Sequence, residues 1–288
     1  MGGEDLESDD EYLDQNWHQK GEEVDVVLDE TVIDTKKRGI LALEQEERDK
    51  QREEESKSKK SKTNPRKLIL ETGRQVAQEG SELQAQFLWT CYSHAMKMKG
   101  EVIDDDAKFS PDLFVQPKGM KETKYEKSMS AYLKSGVLQS FKRLKRWGRD
   151  GPVANQSRSP CVLIVCVSAL RSVAILKQLS SLNLRAAKLF AKHMQVSDQV
   201  DMLEKTVYPI AVGTPNRLLK LSQIESNVDN KGALNFENTE LIVFDCYEDQ
   251  KKFTVCTLND TAPDLMQLLH EAVLPEVGKR KNIKFGMF

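Results

Sequence analysis

The residues best equipped for chemistry fall in short loops. In Gly213-Thr-Pro-Asn-Arg-Leu218, Thr214 suits a helix N-cap and Pro215 the first helical position. A helix opening there would turn free backbone N–H groups outward, and such a terminus binds phosphate readily. Asn216 and Arg217 follow, the second adding a charged fork. Ser168-Ala-Leu-Arg171 opens another helix and offers Arg171, while Asp245 closes the apolar run Leu241-Ile-Val-Phe-Asp245. Just past the second apolar run, Lys192 and His193 could both reach a phosphate, although a lone histidine at a strand end reads rather as a hydrogen-bonded structural residue. Lys142, Arg143, Lys145 and Arg146 crowd one stretch ahead of Trp147. Two readings compete there: cations complementing a helix C-terminus, or a phosphate-contacting patch with Trp147 available for stacking.

Five short apolar segments hold these loops: 161–167, 185–190, 208–212, 241–245 and 253–257. They are rich in Val and Ile and nearly free of charge, as strands covered on both faces are. Between them Val173/Leu176/Leu179/Leu182, Val196/Val200/Leu203 and Leu218/Leu221/Ile224 recur at helical spacing. The pattern predicts an α/β fold with one parallel sheet, right-handed crossovers and helices on both faces. In such sheets the binding loops lie at the carboxyl ends of the strands.

Upstream, Ser81 and Gln84 suggest a capping box for a helix with Leu83, Phe87, Cys91, Ala95 and Met98 on one face, ended by Gly100. A second helix is expected from Ser128 to Trp147, and a final one opens at Thr261. The basic run Gly278-Lys-Arg-Lys-Asn-Ile-Lys284 reads as an extended tail. The expected organisation is a charged arm over 1–67, a helical extension over 68–150, the sheet over 151–275 and a basic tail over 276–288.

The overall net charge of −2 hides an asymmetry. Residues 1–30 carry 12 acidic residues against Lys20 alone, while 31–67 carry 12 basic and 8 acidic ones. With so little apolar surface this arm reads as disordered, apart from a fraying helix over 40–55. Its cluster Lys57, Lys59, Lys60, Lys62, Arg66, Lys67 fits a nuclear-import or phosphate-contacting patch, or a solvated linker. The 5 cysteines form no CxxC pair and sit mostly in apolar runs, which indicates reduced thiols in the cytosol or nucleus. Because Cys, His and Asp are not clustered, no metal is expected. No apolar run approaches the ~20 residues of a membrane span.

Taken together, the loops resemble a known family. Gly213-Thr-Pro-Asn-Arg-Leu218 is similar to the GTPGRL segment of DEAD-box RNA helicases, Val162 to Arg171 to their PTREL motif, and Leu241 to Asp249 to their VLDEAD strand. The resemblance implies a single RecA-like sheet. It also exposes what is missing: there is no G-x-x-x-x-G-K-[ST] loop to cradle phosphates, and Cys246 stands where the catalytic glutamate would. Lys188-Leu-Phe-Ala-Lys-His193, Asp198-Gln199 and Val212-Gly-Thr-Pro215 bring the chain closer to the Cms family, degenerate helicase-like proteins of the nucleolus associated with the small-subunit pre-ribosome.

That likeness implies a non-catalytic factor of ribosome assembly, nuclear and nucleolar, without cofactor. Its partners would be pre-ribosomal RNA and pre-ribosomal proteins, and Arg171, Thr214, Asn216 and Arg217 would form the phosphate-contacting face. Arg217→Glu is then expected to weaken RNA binding without unfolding the protein. Two further readings stand: a scaffold docking proteins through its charged arms, and an ATPase with an atypical phosphate loop and Asp245 on magnesium.

Overall fold

Val162–Val165 (β1) is buried along its whole length, as an uncharged run of Val, Leu and Ile should be between two helical layers. In the computed structural model the chain divides into two units, Met1–Lys60 and Ser61–Phe288. The described residues are 75–104, 108–118, 128–147, 157–192, 194–229, 231–249, 251–280 and 282–288, all in the second unit. The charged arm and His193 lie outside them.

After β1 come α4 (Ala169–Leu179), β2 (Ala186–Leu189), α5 (Val196–Lys205), β3 (Ile210–Gly213), α6 (Pro215–Gln223) and β4 (Leu241–Phe244). Helices α1 (Ser81–Met98), α2 (Met129–Lys134) and α3 (Phe141–Arg146) precede them. Past β4 run α7 (Ala262–Leu268), a π turn over Leu269–Val273, α8 (Leu274–Arg280) and β5 (Lys284–Met287). The five strands form one parallel sheet in the order β2-β3-β1-β4-β5. Val165 aligns with Gly213 on one side and Phe244 on the other, so the strands' carboxyl ends meet along one edge.

Because strand side chains alternate, the sheet feeds two cores. Val162, Ile164, Ile210, Val212, Leu241 and Val243 pack with α2, α3 and α4. Leu163, Val165, Leu189, Ala211, Ile242 and Phe244 pack with α1, α5, α6 and α7. This is the expected α/β sheet with helices on both faces.

Four local expectations change. The run 253–257 is no strand: Thr254 N–H donates to Thr257 Oγ1 (2.9 Å) and Thr257 N–H to Thr254 O (3.0 Å), which closes a turn with Val255 and Cys256 buried. The place beside β4 goes to β5, which brings Phe285 and Met287 into the core. The basic tail therefore supplies an edge of the sheet, and Gly278 and Lys279 lie within α8.

The helix expected over 128–147 is two helices. Gly136 adopts φ +89°, a left-handed conformation that stops α2, and Ser140 Oγ recaps the chain by accepting from Arg143 N–H (3.2 Å). At α1 the capping box does not form. Gly80 is the N-cap, and Gln84 turns inward to donate to Val76 O (3.0 Å). The buried face consequently includes Leu88, Tyr92 and Met96, while Leu83 and Met98 are exposed; Phe87, Cys91 and the stop near Gly100 agree with the sequence.

Gly213 is required by packing. A Cβ there would lie 2.5 Å from Leu189 O and 2.7 Å from Leu218 Cδ2. Overpacking of this kind costs about 1–3 kcal/mol. Gly213→Ala should therefore lower the urea midpoint without altering far-ultraviolet dichroism at low denaturant, and an unchanged midpoint would show that β2 and β3 can separate freely.

Candidate functional site

Three loops converge where the strand order turns about β1, the crevice position of open α/β sheets. Ser168 sits extended at the end of β1's loop and caps α4, its Oγ accepting from Arg171 N–H at 3.2 Å. That cap fixes the first turn of α4 and aims Arg171 toward the neighbouring strand β4. Asp245 continues β4's ladder through its own N–H to Val165 O (3.0 Å).

The two side chains meet as a fork. Arg171 Nε donates to Asp245 Oδ2 at 2.7 Å and its terminal nitrogen to Oδ1 at 2.8 Å. Asp245 is fully buried, and the guanidinium lies 4.3 Å from the ring centre of the half-exposed Tyr247. Burial is the largest influence on Arg171 and opposes its charge, but the hydrogen bonds and charge of Asp245 outweigh it, so its pKa rises above the ordinary arginine value. Both carboxylate oxygens are thus engaged by a cation belonging to the protein. Beside them the Cys246 thiol is pushed well up by burial, with Cys256 and Asp245 adding to the effect, which leaves it protonated and a poor nucleophile.

At β3's end Thr214 occupies the N-cap position and Pro215 the first turn, as read from sequence, although the threonine side chain makes no capping bond. Asn216 donates to Asp264 Oδ2 across to α7 (3.1 Å). Arg217 turns inward: one terminal nitrogen donates to Met194 O (3.0 Å) and to Gln199 Oε1 (2.8 Å), and the residue is 9% exposed. Burial lowers its pKa. Gln199 is itself fully buried and donates to Lys188 O (2.8 Å) and Phe190 O (3.2 Å). Arg217 and Gln199 therefore clamp α5 and α6 to β2.

Of the four residues assigned to a phosphate-contacting face, Arg171, Asn216 and Arg217 have internal partners and only Thr214 does not engage another side chain. Arg217 in particular could not grip a phosphate without abandoning a buried network. The second cationic group is intact but lies elsewhere. Lys142, Arg143, Lys145 and Arg146 are all exposed on α3. Arg143 pairs with Glu240 (2.6 Å), the residue preceding β4, so α3 sits toward the amino ends of the strands, opposite Asp245. Trp147 is 6% exposed beneath Arg143 and offers no face to a base. Lys192 is exposed just past β2.

Sequence reasoning used Asp198-Gln199 only for the family likeness and missed both the clamp that Gln199 makes and the Arg171–Asp245 pair. A glutamine inside an amphipathic helix carries no periodic signal, and the pair needs β1 and β4 to be neighbours. Among the described residues no group of three or more His, Cys, Asp or Glu could hold a metal ion, and no helix is long and apolar enough to cross a membrane.

A family model described as CMS1, U3-containing 90S pre-ribosomal complex subunit, matches residues 42–288. The chain belongs to this family. Protein CMSS1 of Danio rerio is 32% identical over 164 residues, covering 56% of this chain and 51% of the relative. Protein CMSS1 of Homo sapiens is 30% identical over 164 residues, covering 56% and 53%. Protein CMS1 of Chaetomium thermophilum is 32% identical over 170 residues, covering 57% and 64%. The chain thus spans about half the length of the vertebrate relatives.

Proposed function

We propose that the chain is a non-catalytic RNA- or ribonucleoprotein-binding assembly factor of the small-subunit pre-ribosome, acting in the nucleus and nucleolus on a degenerate helicase core. Membership of a 90S pre-ribosomal family supports the setting. The observation that carries the non-catalytic part is the closed Arg171–Asp245 fork. In the helicase resemblance Asp245 is the residue that would serve magnesium. Here a divalent ion would have to displace a guanidinium held by two hydrogen bonds over an aromatic ring, without a phosphate loop to help.

The surface assigned to RNA is α3, where Lys142, Lys145 and Arg146 are exposed together. Phosphate contacts by such residues release counterions, so affinity falls as salt rises. For the full chain, the anisotropy of a labelled single-stranded RNA should report log K falling against log salt, with about −0.7 of slope per phosphate neutralised. Combining Lys142→Glu, Lys145→Glu and Arg146→Glu should flatten that slope by about 2 and weaken binding at least ~tenfold. Unaltered binding by this variant would remove α3 from the interface.

A further inference from the structure

A cleft of about 710 Å³ opens beside β2, the end strand of the sheet. Its floor is apolar, from Leu176 on α4, Leu184 in the turn before β2, and Phe190 just beyond it. Lys177, Lys188 and Lys192 stand around it, and all three are exposed. No acidic residue lines the cleft among the described residues. Lysines grouped without countercharge around a greasy floor call for a ligand with the opposite pattern, apolar at the centre and anionic at the margin.

The neighbouring backbone limits how such a ligand can bind. An end strand ordinarily invites another strand to add to it. Here Gln199 already occupies the outward carbonyls of Lys188 and Phe190, at 2.8 Å and 3.2 Å. Two acceptors that an added strand would need are thereby closed, whereas side chains can still enter the cleft from above. RNA also fits poorly: Phe190 is only 6% exposed, so it gives bases no face to stack on, and the aliphatic floor offers nothing to their polar edges.

We infer that this cleft receives an acidic amphipathic helix from a neighbouring protein. Apolar side chains spaced one turn apart fill the floor over the half-buried Leu176 and Leu184, and flanking carboxylates meet Lys177, Lys188 and Lys192. Lys192, assigned to RNA from the sequence, belongs to this rim. The inference does not depend on RNA binding at α3, because the two surfaces share no residue.

The test uses the full chain and a fluorescent helical peptide of about 15 residues made of leucine, alanine and glutamate with the leucines on one face. Its partners are the same peptide with lysine replacing glutamate, and a short uridine oligonucleotide as competitor. The acidic peptide should bind, the basic one should not, and the oligonucleotide should leave the complex intact. Lys177→Ala, Lys188→Ala and Lys192→Ala combined remove only exposed side chains, and should weaken peptide binding about tenfold. Failure of the acidic peptide to bind, equal binding of the basic peptide, insensitivity to the triple substitution, or displacement by the oligonucleotide would each overturn the inference.

Discussion

Arg217→Glu should unfold a large part of the protein's margin of stability rather than weaken an RNA contact. The arginine is 9% exposed and donates to Met194 O and Gln199 Oε1. A glutamate in its place would set a carboxylate against two oxygen acceptors. It would also release Gln199, whose amide holds the carbonyls of Lys188 and Phe190. Losing a charged donor and leaving its buried acceptors unpaired costs about 1–3 kcal/mol for each acceptor. Against a typical total of about 5–15 kcal/mol, that is a drop readily seen as a lower urea midpoint by tryptophan fluorescence. Arg217→Lys should lose less, because one ammonium can still donate to part of the network. A midpoint equal to that of the unsubstituted chain would mean the side chain is free at the surface, and would restore its reading as a phosphate ligand.

The second large effect concerns Arg171 and Asp245. Arg171→Ala strands a fully buried carboxylate, for about 3 kcal/mol or somewhat more, the lower part of the range because the arginine is itself 17% exposed. Asp245→Leu strands a cation that can swing toward solvent over Tyr247, and should cost less. Combining Arg171→Met with Asp245→Leu removes both charges, and such replacements are often neutral or stabilising. The double variant should then be more stable than Arg171→Ala, a non-additivity that a double-mutant cycle measures. Additive losses would mean that the fork is not an energetic unit. The same pair bears on function. If Asp245 served magnesium, titrating the unsubstituted chain with magnesium and ATP would release binding heat; the closed fork predicts none.

Much of the fold was legible because burial writes itself into composition. β1, β3 and β4 announced themselves by short Val- and Ile-rich runs and β2 by the shorter apolar run Ala186–Leu189, all alternating with amphipathic stretches. The fifth strand did not. Phe253-Thr-Val-Cys-Thr257 has strand-like residues, yet its two threonines satisfy the backbone locally and make a turn. Lys284–Met287 looks like a charged tail, yet it pairs with β4 because that edge is open and Phe285 and Met287 find a core there. Sequence pattern sees which residues can be buried; it does not see which edge is vacant.

The candidate site divided along the same line. Residue types alone placed Thr214 and Pro215 at a helix start, Ser168 at another, and Asp245 at a strand end, because caps and strand ends are local and each is set within a few neighbouring residues. The direction of Arg171 and Arg217 was not local. An arginine reaches far enough to choose between solvent and a distant acceptor, and the choice rests on what the strand order β2-β3-β1-β4-β5 sets beside it. The sequence by itself determined a parallel α/β sheet, its loops and the charge they carry. Only the tertiary structure decided that two of those charges are turned inward and that the exposed ones lie on separate surfaces, since long-range pairing depends on positions that adjacent residues cannot encode.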